Sequence, residues 1–528
     1  MSTLRKLASQ TVLYGFTYFA GRLLSFLLTP FYTRIFSQSE YGTISIMYAL
    51  IPFLTVVYTY GMETGYFYFA NKEKDDGKVA STGFLSLLYS SILLSVLIML
   101  CSPWLAGLID TRARTDYVIY IALILAFDNI AVLPFAYLRK HERPMRFAIL
   151  KTLNIIINIF FNFFFLVFCP YLLNHSGSGI FHDIFASIYH KGEGVKYVIL
   201  SNVISSFILL LCLIPEIRKI KLVWNREIWT KMLTYSWPLL ILGFAGVINE
   251  TFDRTLLKLR LPNLYSTAGL AGEALKKAVA LNNKFKLSQI GIYSACYKIS
   301  IFMTLAIQSF RYAAEPFFFR QMKESNSKDL FAVVLKYFSF VTGFIFLGVL
   351  LYLPIVLKIL GKDFRSAEEV VPILLLANLF LGLFLYLSQW YKQTEKVLYG
   401  AYVSIGGAVI TLIINFAFIP TYGYMAAAWA TLAAYSSMAI VSYFLGQKFF
   451  PVDYPIVRIG FYIWFSIVLY VVSRLALESF FGEWGVGAYF FNTLLGGVYL
   501  LAFLYIEQPA FLLKYSMVNK VLSVRRRK

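Results

Sequence analysis

The sequence predicts an all-α polytopic membrane protein with about fourteen transmembrane helices. Of its 528 residues, 59% are hydrophobic and only 14% are charged, whereas soluble domains carry about 25% charged residues. The mean hydropathy is +0.69. Apolar runs of about 20 residues, the length that a helix needs to cross a bilayer, recur from one end of the chain to the other. Lipid rather than water is therefore expected to surround most of the folded chain.

The predicted spans lie between charged breaks and breaks rich in proline and glycine. In chain order they are 9–35, 41–69, 81–107, 117–138, 146–169, 196–215, 233–258, 289–315, 331–357, 367–390, 398–419, 424–446, 456–477 and 485–506. The second is interrupted by Pro52, Gly61 and Glu63, and the eighth contains Lys298 and Arg311. The first has no short apolar core followed by a small-residue cleavage site, so we expect a span rather than a signal peptide.

The formal net charge of +21 is interpreted as a topology signal. Lysine and arginine cluster in short loops that fall on one side of the membrane if the N-terminus is cytoplasmic, which predicts that both termini are cytoplasmic. These basic regions are Arg139–Arg146, Arg218–Lys231, Arg320–Lys328 and the tail Arg525–Lys528. The external segment 258–288 is an exception, because it is also basic, and it is expected to form an amphipathic surface helix. No nucleic-acid-binding module is visible, so no nucleic-acid partner is predicted.

Several site classes are disfavoured by the sequence. The four cysteines lie in apolar runs without a C-x-x-C pair, which indicates small buried side chains. His175, His182 and His190 in the external insert 171–195 have no metal-ligand spacing, so neither a metal nor another cofactor is predicted. There is no Walker A phosphate loop, and the first external loop, Ser37–Glu40, is too short for the acidic metal site of a lipid-linked sugar transferase. We therefore expect a protein that is not an enzyme.

An internal repeat is visible at an offset of about 250 residues. Ser39–Ser45 matches Ser288–Ser294, and Pro170, which closes the fifth span, corresponds to Pro420, which closes the eleventh. Repeats of this kind build transporters with two lobes around a site at the bilayer midplane. The predicted division of the chain is an N-terminal lobe at 1–222 with spans 1–6, a C-terminal lobe at 223–450 with spans 7–12, and spans 13–14 with the basic tail at 451–528.

A polar stripe runs along the first span. Its residues recur at helical spacing within a narrow arc of the helix, and they are Thr11, Tyr18, Arg22, Ser25, Thr29 and Thr33. Lipid cannot satisfy such a face, and an arginine at the helix centre costs about 2.5–3.5 kcal/mol in the bilayer. Arg22 is therefore expected to line a cavity, or alternatively to pair with a carboxylate on another helix.

Further charges lie within spans two, four, seven and eight. In the seventh, Gly243, Gly246, Glu250 and Asp253 share one face with Arg254 beside them, and Glu250 and Arg254 are spaced to pair with each other. The simplest arrangement is a cationic, water-filled cavity between two lobes, whose arginines suit an anionic head group. Its predicted cationic lining is Arg22, Arg254, Lys298 and Arg311. Carboxylates that could couple transport to a proton or sodium gradient are Glu63, Asp128, Glu250, Asp253 and Glu315.

The chain resembles the Wzx-type polysaccharide-biosynthesis flippases, the O-antigen and capsule exporters of the MOP superfamily. The motifs that carry the resemblance are the run Gly21–Gly42, the pair Asp253-Arg254, Gly291–Ser294 and Ile419–Ala428. The resemblance covers nearly the whole chain. It implies two helical lobes around a V-shaped cavity, alternating access, and a place in the bacterial cytoplasmic membrane. It also adds Arg34 to the substrate-binding residues, although Arg34 falls about 140° off the polar stripe.

The implied substrate is an undecaprenyl-pyrophosphate-linked oligosaccharide, which moves from the cytoplasmic to the outer leaflet. Glycan polymerase or ligase machinery would then be a partner. Three alternatives remain at this stage: a flippase for lipid II, the peptidoglycan precursor; a drug or sodium antiporter, which usually has an anionic cavity; and a scaffold for a glycan polymerase that transports nothing. The charges do not choose between protons and sodium as the coupling ion.

Overall fold

A computed structural model describes the backbone of residues 2–72, 75–108, 114–175, 180–321, 327–394, 396–482 and 484–525. Side chains are described in these ranges except at 2–18, 71, 180–181, 184, 312–321, 327, 392–393, 397 and 508–525. The described part of the chain is helical almost throughout, as the composition predicts.

The helices of the first half belong to predicted spans 1–6 and their connections. They are α1 (Ser2–Ile35), α2 (Gln38–Thr59), α3 (Met62–Lys72), α4 (Asp76–Leu100), α5 (Ser102–Leu108), α6 (Thr115–Lys140), α7 (Pro144–Phe163), α8 (Cys169–His175), α9 (Ile180–Ile188), α10 (Gly194–Cys212) and α11 (Ile214–Ile217). One turn of π-helix, Phe164–Phe168, joins α7 to α8 without a break.

The second half contains predicted spans 7–14. Its helices are α12 (Arg226–Arg260), α13 (Gly272–Tyr297), α14 (Ile301–Gln321), α15 (Ser327–Leu351), α16 (Leu353–Leu357), α17 (Val370–Leu387), α18 (Gln389–Gln393), α19 (Val397–Tyr422), α20 (Tyr424–Phe449), α21 (Ile456–Ala476) and α22 (Val486–Arg525). A 3₁₀ turn at Lys298–Ser300 joins α13 to α14, so the eighth span is one long, slightly irregular helix.

The predicted spans coincide with these helices. Among the described residues, 13 helical stretches are long and apolar enough to cross a membrane, and each overlaps one predicted span. The remaining prediction, 9–35, falls on α1, whose side chains are described only from residue 19. The second span is split where the sequence suggested an interruption, because Tyr60 and Gly61 both have positive φ, at 34° and 72°. The fold class is confirmed.

The two inserts that are predicted to be external differ from each other. The basic segment 258–288 is not a separate surface helix: α12 continues to Arg260, a loop follows, and α13 begins at Gly272 and runs directly into the membrane span. The insert 171–195 contains the short helix α9. No group of three or more potential metal-ligating side chains occurs among the described residues.

The first and seventh spans each bridge the two repeats. Helix α1 packs against α7 in its own half of the chain and against α14 in the other half. Helix α12 does the reverse, because it packs against α19 in its own half and against α3 and α4 in the first half. The two repeats are therefore interlocked by equivalent helices rather than merely placed side by side.

The repeated motifs cross each other where α2 meets α13. A Cβ atom added to Gly42 would overlap the Leu287 carbonyl, and one added to Gly291 would overlap the Gln38 carbonyl. Glycine is required at both positions for this close approach of two backbones. Next to the crossing, the Ser288 hydroxyl donates a hydrogen bond to the Gln38 side chain. Corresponding residues of the two repeats thus contact each other across a pseudo-two-fold axis.

A second contact between the halves lies beside this crossing, at the end of α1 away from the N-terminus. The Gly361 N–H donates to Thr33 Oγ1 at 3.0 Å, Arg34 Nη2 donates to the Lys358 carbonyl at 3.1 Å, and Tyr41 meets the Phe364 ring edge-on. We call these contacts, residues 33–42 against 287–291 and 358–364, the seal. These contacts join the two halves of the chain at that end of α1.

Candidate functional site

A cavity of about 670 Å³ lies between the two halves and is called here the first chamber. Its walls come from α1, α7, α12, α17 and the eighth span. The charged side chains that line it are Arg22, Lys151, Glu250, Lys298 and Arg311. Four cations therefore face the chamber with a single carboxylate among the described residues.

A second chamber of about 430 Å³ adjoins the first. Ser25, Ile155, Glu250, Tyr297 and Lys298 line both chambers, so they form the junction. Most residues that line the second chamber carry a hydroxyl or amide group on an otherwise apolar side chain or wall, and they include Tyr32, Tyr41, Tyr48, Asn154, Asn158, Asn202 and Ser294. Because Tyr41 also contacts the seal, the second chamber lies between the first chamber and the seal.

The polar stripe of α1 passes along both chambers. Arg22 lines the first chamber, Ser25 lines both, and Thr29 lines the second. Thr33 belongs to the seal. The two remaining stripe residues, Thr11 and Tyr18, have side chains outside the described residues. The face of α1 that the helical period predicts therefore lines both chambers.

Arg254 is held by a buried set of partners at the wall of the second chamber. Its Nη1 lies 3.1 Å from Asp253 Oδ1, and the Tyr293 hydroxyl donates to Asp253 Oδ2 at 2.6 Å. The guanidinium carbon lies 4.5 Å from the centre of the Tyr297 ring. Arg254 is 7% exposed, which is possible only because its charge is paired and hydrogen-bonded.

The alternative pairing of Glu250 with Arg254 does not occur through the carboxylate. Arg254 donates instead to the Glu250 backbone carbonyl at 3.4 Å, because the adjacent Asp253 carboxylate takes the ion pair. The Glu250 carboxylate faces both chambers, and no described cation forms an ion pair with it within 4.0 Å. Asp253 lines neither chamber. Of the two acidic residues, Glu250 is thus the one available to a ligand or ion.

Besides Asp253, four predicted site residues lie away from the chambers or outside the described part. Arg34 is exposed at the seal, where it bonds backbone carbonyls. Glu63 on α3 pairs with Arg139. Asp128 on α6 lies next to Ser206, within electrostatic range of Lys151. The side chain of Glu315 lies outside the described residues. The structure therefore brings together Arg22, Glu250, Lys298 and Arg311 in the first chamber, with Arg254 in the second.

Lys151 was missed by the sequence analysis. It lies on α7, lines the first chamber, and holds its ammonium 4.2 Å from the centre of the Phe135 ring. The available signal was a lysine inside the predicted span 146–169, but its position five residues after the start was compatible with a residue that reaches the membrane surface.

A buried charge cluster in the last spans was also missed. Lys336 on α15 is 6% exposed and forms an ion pair with Glu507 on α22. The Tyr462 hydroxyl on α21 donates to Glu507 Oε1 at 3.0 Å. Spans nine to fourteen therefore also contain buried charges. This cluster lines neither chamber, and it connects three helices.

Comparison with known proteins places this arrangement in context. Residues 7–322 match the model of a protein family described as "Polysaccharide biosynthesis protein". A comparison with curated proteins found no match. Among solved structures, the chain is similar to the lipid II flippase MurJ in an inward closed conformation, with a TM-score of 0.70 and 14% identity, over 95% of this chain and 100% of that one.

Two multidrug transporters are also similar in structure. A MATE-family transporter of the MOP superfamily in an inward-facing conformation matches with a TM-score of 0.58 and 13% identity, over 83% of this chain and 94% of that one. A MATE transporter from Vibrio cholerae matches with a TM-score of 0.50 and 11% identity, over 85% and 98%. At these identities the similarity establishes the fold alone, which this chain shares with these transporters.

Proposed function

The chain belongs to the family of polysaccharide biosynthesis proteins, and on this premise we propose that it is a flippase for an undecaprenyl-pyrophosphate-linked oligosaccharide. The observation that carries the proposal is the first chamber, in which Arg22, Lys151, Lys298 and Arg311 face a single carboxylate, Glu250. A pyrophosphate carries several negative charges, and arginine and lysine are the side chains that bind it. A hydrated anionic head group cannot cross hydrocarbon unaided, because desolvation costs far too much.

The proposed cycle is alternating access in the bacterial cytoplasmic membrane. With both termini cytoplasmic, the seal would be external, and in the proposed cycle its contacts close the chambers on that side. Opening the seal would release the head group to the outer leaflet, while the polyprenyl tail stays in lipid. Glu250 is the best-placed carboxylate for coupling to protons or sodium, because it faces both chambers. Glycan polymerase or ligase machinery would take up the product.

The test is Arg22→Ala in cells that depend on this protein for surface polysaccharide. We expect loss of surface polysaccharide with an unchanged amount of protein in the membrane, since Arg22 is exposed to the chamber rather than packed in the core. Arg474→Ala is the matched control, because Arg474 lies on α21 and lines neither chamber. Normal polysaccharide in the Arg22→Ala strain would refute the role of the first chamber.

The second candidate is flipping of lipid II, favoured by the similarity to MurJ over the whole length of both chains. Both substrates have a polyprenyl pyrophosphate, so the first chamber suits either. Depletion of the protein distinguishes them: lysis with accumulated peptidoglycan precursor indicates lipid II, whereas viable cells without surface polysaccharide indicate the first proposal.

A further inference from the structure

We propose that the second chamber binds the sugar unit attached to the pyrophosphate, while the pyrophosphate itself stays on the cations of the first chamber. This inference rests on the proposed function and adds a division of labour within the same site. The evidence is a change in lining chemistry from one chamber to the next, together with two polar side chains in the second chamber that have no hydrogen-bond partner among the described residues.

The lining changes from cationic to neutral at the junction. Glu250 and Lys298 belong to both chambers. Beyond them, Arg254 is the only charged side chain among the described residues in the wall of the second chamber, and its charge is already paired with Asp253. An anion entering the second chamber would move away from Arg22, Lys151 and Arg311, which line the first chamber and not the second. The second chamber therefore suits a neutral polar group.

Two side chains in the second chamber have unused hydrogen-bonding capacity. Ser294 is 2% exposed, lines the chamber, and its hydroxyl has no hydrogen-bond partner. Asn154 also lines the chamber, and its amide has no hydrogen bond to any described residue. By contrast, the Tyr32 hydroxyl is already bonded to Asn162 at 2.7 Å. Buried polar groups are almost always satisfied, so the Ser294 hydroxyl indicates a bound group that forms hydrogen bonds, and the half-buried Asn154 amide faces the same space.

Tyrosine rings supply the other half of a sugar site. Tyr41, Tyr48 and Tyr297 line the chamber, and tyrosine gives a large, rigid, amphipathic contact surface at low entropic cost. A pyranose ring is amphipathic in the same way, with C–H groups on its faces and hydroxyls around its edge. A chamber of about 430 Å³ lies within the size range of sites that enclose a small organic ligand.

The spacing of the two chambers agrees with this placement. Arg22 and Thr29 lie on the same stripe of α1, one in each chamber. Between them, Ser25 lines both chambers and lies three residues from Arg22, roughly 5 Å along the helix, which is the scale of the separation between a pyrophosphate and the ring of the sugar attached to it. The head group can therefore span the junction without leaving either chamber empty.

The test uses the full-length protein in detergent and two probes, measured in competition by native mass spectrometry. One probe is bare undecaprenyl pyrophosphate, and the other is the glycan-bearing pyrophosphate lipid extracted from cells that produce the protein. We expect the native protein to prefer the glycan-bearing lipid. Ser294→Ala and Asn154→Leu should each reduce that preference about 3- to 10-fold, the value of one hydrogen bond, with unchanged binding of the bare lipid.

The control is Ser339→Ala, which removes an equally buried serine hydroxyl that bonds only to its own helix, on α15 outside both chambers. It should leave the preference unchanged. Equal binding of the two lipids by the native protein would overturn the sugar site and leave the proposed function intact. The same would follow if Ser294→Ala weakened the binding of both lipids equally. If the native protein binds neither lipid, the proposed function itself fails.

Discussion

The charged side chains at the chambers fall into two classes according to their partners. Arg254 is surrounded by Asp253, Tyr293 and Tyr297, so its wall position is fixed by protein groups. Arg22, Lys298 and Glu250 instead face the open space of the first chamber. The first class stabilises the cavity wall, and the second is available to a ligand. Stability and transport should therefore respond to different substitutions.

Asp253→Asn is expected to destabilise the fold by about 3–5 kcal/mol, because it leaves the buried Arg254 guanidinium without its counter-charge. Denaturant titration or heating of the purified protein in detergent measures the change in the free energy of unfolding. Glu250→Gln is the matched control one helical turn away, and it should alter stability by less than about 1 kcal/mol, since this carboxylate is exposed to the chambers. Similar losses for both variants would contradict the assignment of the two classes.

Residue patterns predicted the chamber lining only in part. The stripe of α1 was predictable because lipid forces polar groups on one helix onto one face. The ion-pair partner of Arg254 was not predictable. Helical spacing favours residue 250, whereas the hydrogen bond that holds the Asp253 carboxylate comes from Tyr293 on another helix. Lys151 was missed for a similar reason. A lysine near a span end can reach either water or the interior, and only packing decides which.

At the level of helices, the seal is made by the two copies of one motif. The repeat Ser39–Ser45 and Ser288–Ser294 was visible in the sequence, and its glycines, Gly42 and Gly291, are the crossing points of α2 and α13. The sequence could show that the segments are similar, but similarity does not say that they touch. Contact follows because equivalent residues of a two-fold arrangement meet only at its axis, where the glycines allow close approach.

The seal can be tested by cross-linking Gln38→Cys to Ser288→Cys, whose native side chains are hydrogen-bonded. A short thiol-specific cross-linker should abolish transport in membrane vesicles, and a cleavable version should allow recovery after reduction, because the chambers reach the far side only when the seal opens. The background should carry Cys101→Ser and Cys212→Ser, since those native cysteines are the less buried ones.

The control for this experiment is the pair Tyr352→Cys and Thr493→Cys. Their native hydroxyls are 2.6 Å apart on the exposed surface between α15 and α22, away from the seal. Cross-linking them should leave transport unchanged. Undiminished transport with the seal cross-linked would show that residues 38 and 288 stay together throughout the cycle.

Spans 13 and 14 are attached to the second repeat by a buried ion pair that the sequence analysis did not predict. Lys336, Tyr462 and Glu507 come from three different helices and converge in one buried cluster. Glu507 lies one residue beyond the predicted span 485–506, and charges at span ends usually reach the interface. Here the carboxylate turns inward instead, because a lysine on α15 supplies the opposite charge. The extra spans are therefore fixed in place by an ion pair as well as by apolar packing.

On the scale of the whole molecule, the interlocking of the repeats limits how the lobes can be defined. The division at 222/223 proposed from the sequence follows the repeat. Helix α12 comes after this division, but it packs against helices of both repeats. The first half of α12 completes the surface of α3 and α4: Trp229 Nε1 donates to Ser86 Oγ at 2.8 Å, and Gly65 leaves room for Ser236. The second half packs on α19. Neither repeat is thus a self-contained folding unit.

This arrangement predicts the behaviour of a split protein. Residues 1–222 expressed alone should be poorly folded and degraded, because the glycine-lined face of α3 and the Ser86 hydroxyl lose the helix that covers them. Co-expression with residues 223–528 should restore both fragments, which should co-purify and support polysaccharide export, since the cut falls in an exposed loop between α11 and α12. Affinity pull-down, protease resistance and surface polysaccharide measure the three outcomes.

Trp229→Phe in the second fragment removes only the indole hydrogen bond and should weaken, but not abolish, the association. A stable, protease-resistant 1–222 fragment would instead mean that the first repeat folds independently and that α12 is an accessory to it.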